Sequence, residues 1–221
     1  MKKLLYIMGI MLLIMGCKKK AEDGHDITLS ETTVILHKND EYSINAESPL
    51  TLYYTSDNEY HAIVSNQGVI RGRYVGTTSI NVSNNYLTKT ISVTVNPRYN
   101  SFNIPDITFG DTRDYITQTL GTPDYIHDDG KTIGYWFNNG APEEMEYHLT
   151  NDLVVGYKAT FYRSLETEIK NYLGERYKYQ YSKRNIDHYI NALETIDATM
   201  RIDSYEENTR YWVVTYSKIN F

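Results

Sequence analysis

The sequence predicts two domains, an all-β sandwich over residues 27–97 and an α+β domain over residues 100–221. Three observations support this prediction. Short β-branched runs separated by turn residues recur at roughly 8–12-residue spacing in the first region, which is typical of a β-sandwich. Pro97 ends the last run, and helical periodicity begins beyond it. In the second region a Leu-Gly pair that ends a predicted helix occurs twice, at Leu120 and at Leu173.

Residues 1–16 are predicted to be a signal peptide. A basic start precedes an apolar run over residues 4–15, and Gly16 stands directly before Cys17. The run is shorter than the roughly 20 residues of a membrane-spanning helix, so it is typical of a secretory signal. The segment Leu13-Ile14-Met15-Gly16-Cys17 resembles the lipobox of bacterial lipoproteins. This resemblance implies that Cys17 becomes the first mature residue and carries acyl chains such as palmitate. An ordinary signal peptide with a chance cysteine is the alternative.

Residues 17–26 are predicted to be a tether between the lipid and the first domain. They are small, polar or charged, as a solvated linker should be. A charged export address of the kind found on some surface lipoproteins is the other interpretation of Lys18-Lys19-Lys20 and its neighbours. Without residues 1–16 the chain keeps 20 basic residues against 28 acidic ones. Nucleic acid is therefore not an expected partner, because phosphate binding needs clustered lysines and arginines.

The first domain contains three sequence blocks in a fixed order. Tyr54-Thr55-Ser56-Asp57-Asn58 is followed by residues 62–72, which end in Gly-Val-Ile-Arg-Gly, and then by residues 75–82. These blocks resemble the bacterial Ig-like group 2 (BIG2-type) module, with Tyr54 where the family usually has tryptophan. The resemblance implies an Ig-like sandwich that acts as a stalk or adhesion unit. A single copy after the anchor is expected to be a spacer.

The second domain is predicted to be a tandem repeat of one helix followed by three strands, over about 109–163 and 164–221. Asp111 is expected to cap the first helix and Ser164 to open the second, with Gly121 and Gly174 as their ends. The strands expected to join into one antiparallel sheet with helices on one face are 132–137, 144–149 and 153–162 in the first repeat, and 177–181 or 188–192, then 199–205 and 210–219, in the second.

The opening of this domain carries a second resemblance. Phe109-Gly110-Asp111 and Leu120-Gly121-Thr122-Pro123 resemble the start of β-lactamase-inhibitor-like and small outer-membrane lipoprotein repeats. Those families bind proteins through their sheets and loops and do not catalyse reactions. The resemblance therefore implies a binding role.

Catalytic and metal-binding patterns are not evident in the sequence. With one cysteine there is no disulfide and no thiolate metal site, and the six histidines lack paired zinc spacing. Residues 128–132 end like a phosphate loop but lack its first glycine, so we interpret them as a turn. We therefore predict a non-enzyme with no cofactor and no metal. A glycan hydrolase would require a carboxylate pair in a cleft, which the sequence alone does not nominate.

The predicted function is a membrane-anchored lipoprotein of the cell envelope, attached to the outer membrane and displayed at the cell surface. It is expected to bind a protein or glycan ligand without catalysis. The alternative is a periplasmic factor that binds or inhibits an envelope protein. Among the 22 tyrosines and two tryptophans, six aromatic residues of the second domain are candidates for a contact face or, alternatively, for sheet core: Tyr135, Trp136, Tyr147, Tyr157, Tyr211 and Trp212.

Overall fold

A computed structural model describes residues 24–102, 104–138 and 141–219. The predicted signal peptide, Cys17 and most of the tether lie outside the described residues. Lipid attachment at Cys17 therefore stays a prediction. The division into domains at residues 97–100 also stays a prediction, although the two regions have separate sheets and separate hydrophobic cores.

The first region is all-β, which confirms that part of the sequence prediction. Its strands are β1 Thr28–Leu29, β2 Thr33–Leu36, β3 Glu41–Ser43, β4 Ala46–Glu47, β5 Tyr53–Ser56, β6 Ala62–Val64, β7 Val69–Gly72, β8 Gly76–Ser83 and β9 Thr88–Val95. They form sheets in the orders β2-β9-β8-β5 and β3-β7-β6, with the small pair β1-β4. One core lies between these sheets and includes Ile70, Ile80 and Val93. We refer to residues 27–97, which are these strands and the loops between them, as the sandwich.

The second region contains one large sheet with two α-helices against it. The helices are α1 Arg113–Leu120 and α2 Glu166–Arg176, and the strands are β10 Tyr125–Ile126, β11 Thr132–Trp136, β12 Glu144–Thr150, β13 Leu153–Tyr162, β14 Lys178–Lys183, β15 Ile186–Ile190, β16 Met200–Glu206 and β17 Tyr211–Lys218. The strand order is β10-β11-β12-β13-β17-β16-β15-β14, with every pair antiparallel. Ile116 of α1 and Ile169 and Leu173 of α2 pack on one face of this sheet and complete its core.

The predicted α+β fold class, with tandem repeats of one helix and three strands, is wrong. The described chain is mainly β, and four strands follow each helix in this region. The first extra strand, β10, has two residues, too few to produce a periodic pattern. In the second half, the sequence offers segments 177–181 and 188–192 as alternative strands, but both overlap strands of the sheet, β14 and β15. They are joined through Arg184 and Asn185, which both have positive φ, and this pair lacks the glycine that usually marks such a hairpin.

Three of the predicted helix boundaries are also wrong. Leu165, not Ser164, precedes the first residue of α2, and no side chain caps that end. Thr112, not Asp111, caps α1, because its hydroxyl accepts the N–H of Tyr115 at 3.1 Å. Gly121 ends that helix as expected, with a φ of 89°. Gly174 does not end α2, which continues to Arg176. A glycine ends a helix only where its backbone leaves the helical conformation, as at Gly121. At Gly174 the backbone stays helical, and hydrogen bonds from outside the helix stabilise the residues that follow.

Those contacts come from the sandwich. The last carbonyl groups of a helix have no partner inside it and need donors from elsewhere. Three sandwich donors reach the carbonyl oxygens of residues 174, 175 and 176, respectively: the ammonium of Lys38 at 2.6 Å, the backbone N–H of Val75 at 2.9 Å and the hydroxyl of Tyr60 at 2.8 Å. The positive charge of Lys38 also lies at the negative end of the helix dipole. The sandwich therefore caps α2.

The side chain of Glu175 makes the reciprocal contact. Its carboxylate is buried and accepts the backbone N–H of Arg98 at 2.9 Å and that of Tyr99 at 3.0 Å. These two residues belong to the segment that connects the sandwich to the second region. Because the acceptor is charged, each bond is of the stronger kind, at about 1.5–3 kcal/mol. The connecting segment is thus fixed to the helix that the sandwich caps.

We expect Glu175→Ala to lower the free energy of unfolding by about 1–3 kcal/mol, because two backbone N–H groups lose the charged acceptor of their partly buried hydrogen bonds. The backbone amides of Arg98 and Tyr99 should also exchange hydrogen faster. Urea unfolding and amide exchange measure the two effects. Glu168→Ala, on an exposed position of the same helix, is the matched control. Equal losses in the two variants would contradict this account of the junction.

Candidate functional site

The second region presents one sheet face that the helices do not cover. Side chains alternate between the faces along a strand, and directly paired residues share a face. The core residues Met145 and Tyr147 of β12 point toward the helices. Glu144, Glu146 and His148 of the same strand therefore point to the other side. We call this uncovered side the sheet face.

The strand register arranges the sheet face in rows. The central row crosses seven strands and consists of Gly134, Glu146, Lys158, Thr215, Asp203, His188 and Tyr181. The neighbouring row consists of Trp136, Glu144, Thr160, Val213, Tyr205, Ile186 and Lys183. At a strand spacing of about 4.8 Å, six intervals give a surface about 29 Å wide.

One half of the central row contains an ion-pair cluster. The Glu146 carboxylate contacts the Lys158 ammonium on β13, and its other oxygen lies 3.4 Å from Nε2 of His127. Burial disfavours the charged form of each partner, but their mutual contact outweighs burial. The pKa of Glu146 is therefore lowered and the pKa of Lys158 is raised. Both groups are held in their charged forms at neutral pH.

The other half contains a second cluster of similar composition. Nδ1 of His188 lies 2.6 Å from Oδ1 of Asp203, and Nε of Arg201 lies 3.1 Å from its Oδ2. The ring of Tyr181 packs against the His188 ring, with the centroids 4.6 Å apart. The side chains of His188 and Asp203 are mostly buried. Both oxygens of the Asp203 carboxylate therefore have a charged or polar partner.

An aromatic group borders the first cluster. The ring of Tyr125 on β10 lies over Gly134, where a Cβ would come within 2.1 Å of the ring, so only glycine leaves space for it. The Tyr125 hydroxyl donates to Oε1 of Glu144 at 2.6 Å. Burial, and then this carboxylate, raise the pKa of Tyr125. The Tyr125 ring also lies 5.9 Å from that of Trp136, which is 57% exposed.

The six aromatic candidates are divided between the two faces. Trp136 and Tyr211 lie on the sheet face, three strand spacings across it and two residues along it, or about 16 Å apart. Tyr135, Tyr147 and Trp212 are buried on the helix side, and Tyr157 packs beside them in the same core. Trp212 donates from Nε1 to Oγ of Ser204 at 2.6 Å, inside that core. The role of the six in binding stays a prediction, and this structure offers only Trp136 and Tyr211 as a contact surface.

Alternation along a strand could have indicated this division. Tyr135 and Trp136 are consecutive, as are Tyr211 and Trp212, so each pair must point to opposite faces. Sequence reasoning missed the other residues of the sheet face, chiefly Tyr125, Tyr181, His188 and Asp203. Their partners come from different strands, so no spacing within a strand brings them together.

Two clefts among the described residues are centred away from the middle of the sheet face, although Tyr205 and Ile186 of that face also border the second. One, of about 650 Å³, lies between the sandwich and the sheet and is bordered by Tyr60, His61 and Arg176. The other, of about 710 Å³, contains Lys170, which pairs with Glu166 at 2.9 Å. Within the described ranges, no three His, Cys, Asp or Glu side chains are placed to hold a metal ion. Nor does any helix of those ranges have the length and apolar character needed to cross a membrane.

No family model and no curated protein matches this chain. The solved structures that are similar to it include three with low scores. They are surface layer protein SbsC, domains 4–9 (11% identity, TM-score 0.30, 88% of this chain and 27% of that chain), S-layer protein SbsC, domains 5–6 (12%, 0.29, 88% and 83%), and an intimin mutant of EHEC O157:H7 (10%, 0.26, 82% and 86%). The chain thus spans about a quarter of the first of these. Such scores do not establish a shared fold, so both family resemblances stay predictions.

We expect Glu146 to make stability depend on pH. Its pKa in the folded chain is below the ordinary value of 4.5, so its contribution is present above that pH and is lost as the pH falls toward the folded-state pKa. Glu146→Gln should flatten the fall in the free energy of unfolding between about pH 6 and pH 3. Urea unfolding across this range measures it, with Glu41→Gln on the exposed part of β3 as control. A slope unchanged in Glu146→Gln would contradict the prediction.

Proposed function

We propose that this chain is a lipid-anchored protein of the cell envelope, displayed at the cell surface, that binds a partner through the sheet face and does not catalyse a reaction. In this proposal the sandwich is a spacer between the anchor at Cys17 and the sheet. The ligand would be a protein or a glycan that approaches the sheet face from outside.

The observation that supports the spacer role is the placement of contacts along β8. At one end, the backbone N–H of Val75 donates to the carbonyl of Glu175, in α2 of the second region. At the other end, Asn84 donates to the carbonyl of His25, close to the start of the described chain. The eight residues of β8 separate these points by about 27 Å. A chain anchored near its N-terminus would therefore carry the sheet on the far end of the sandwich.

The composition of the sheet face supports binding. Its buried charges are paired with one another, which leaves fixed hydrogen-bonding groups at the surface. Trp136 adds an exposed ring and Tyr211 a half-buried one, and tryptophan and tyrosine are the residue types that most often anchor a protein contact. A rigid surface of this kind loses little entropy when a partner docks.

Cys17→Ser tests the anchor. We expect it to abolish incorporation of a palmitate analogue and to move the protein from the membrane to the soluble fraction, because the acylated thiol is lost. Lys20→Ser, in the same segment, is the control and should keep both properties. Protease added to intact cells should degrade the wild type, whereas a protected chain would favour the periplasmic alternative. Labelling that persists in Cys17→Ser would refute the anchor.

Photo-crosslinking tests the sheet face. A photoreactive amino acid at Trp136 or at Tyr211 should give the same adduct in intact cells, since both positions face one partner. The control position is Ile126, which is exposed but points to the opposite side of the sheet from Tyr125. It should give no such adduct. The adduct is detected as a mass shift on a denaturing gel. Adducts of equal yield from all three positions would argue against a defined contact face.

A further inference from the structure

The end of the sandwich farthest from the sheet exposes apolar side chains. The hairpin of residues 84–87 joins β8 to β9, and its Tyr86 and Leu87 are 65% and 44% exposed. Tyr53, 50% exposed, begins β5 opposite Ser83, at the last position of β8. These residues form the sandwich tip. A single exposed apolar residue is ordinary, but three at one end of a small sandwich indicate a surface that contacts a partner.

The sandwich tip is held directly against the N-terminal end of the described chain. Nδ2 of Asn84 donates to the carbonyl oxygen of His25 at 2.6 Å, and the His25 ring stacks on Tyr86 with the centroids 3.9 Å apart. Lys89 pairs with Asp26 at 3.8 Å on the adjoining strand. The direction from which the chain enters the sandwich is therefore fixed at the tip.

The reach of the tether brings the tip close to the anchor. His25 is eight residues beyond Cys17, so the two are at most about 29 Å apart even in a fully extended chain. Lys18, Lys19 and Lys20 lie within that interval, and lysines beside a bilayer are attracted to anionic headgroups. The lipid surface is thus the apolar and charged environment within reach of the tip.

We propose that the sandwich tip contacts the bilayer, with Tyr53 and Tyr86 at the headgroup level and Leu87 toward the acyl chains. This inference depends on the proposed lipid anchor at Cys17. Tyrosine is favoured at membrane interfaces because its ring is apolar and its hydroxyl stays hydrated, and a leucine beside it buries apolar area. The contact orients the sandwich on the membrane and keeps the sheet face directed away from it.

The test uses the full-length lipidated protein with a single added cysteine. Cys17 is the only cysteine of the chain and its thiol would be acylated, so Leu87→Cys supplies the one free thiol for an environment-sensitive dye. The protein is reconstituted into phosphatidylcholine–phosphatidylglycerol vesicles that contain spin-labelled lipid. We expect blue-shifted emission and quenching at least about twofold stronger than for the control Ile35→Cys, an exposed position on β2 of the same sandwich.

Flotation of the vesicles separates the two proposals. A chain that floats with the vesicles, but whose Leu87→Cys dye is quenched no more than the Ile35→Cys dye, overturns the membrane contact and leaves the anchor intact. A wild-type chain that does not float contradicts the anchor and, with it, the membrane contact. Tyr86→Ser in the Leu87→Cys background should reduce the quenching without preventing flotation, which distinguishes insertion from mere proximity.

Discussion

The organisation of this chain depends on the cap that the sandwich provides for the C-terminus of α2. A helix end buried without donors would cost free energy for each unpaired carbonyl, and here Lys38, Val75 and Tyr60 supply them. Glu175 returns the contact by accepting two N–H groups of the connecting segment. Because each partner satisfies groups of the other, neither region can turn away without leaving polar groups unpaired. This mutual dependence sets where the sheet lies relative to the first sandwich residues.

The same rule of satisfied polar groups accounts for the sheet face. A wide antiparallel sheet with helices on one side must present the alternate side chains of every strand on the other side. On that side, Glu146 pairs with Lys158, and His188 pairs with Asp203, across neighbouring strands, so these polar groups are satisfied. The charges keep the sheet face polar while the long side chains cover its middle. Trp136 and Tyr181 are exceptions, since their aromatic rings are exposed on this face.

The sequence predicted the parts of the fold that depend on local patterns. The strands of the sandwich follow from alternation, and Gly121 ends α1 because its backbone turns there. The helix-then-three-strands pattern was wrong because β10 is too short to detect and because Arg184 and Asn185 make a hairpin without glycine. Gly174 continues a helix that local rules would end, since the sandwich holds the next turn. The sheet face depends on pairing between distant strands, so its clusters could not be predicted from spacing.

The two borders of the large sheet differ from its interior. At one border, β10 has only two residues; at the other, β14 contains an irregularity between Tyr179 and Tyr181 and carries Lys178 and Lys183. Short, irregular or lysine-bearing edges are poor templates for a strand of another molecule. Copies of this protein should therefore tolerate dense packing without polymerising edge to edge, and the broad side of each sheet would stay free.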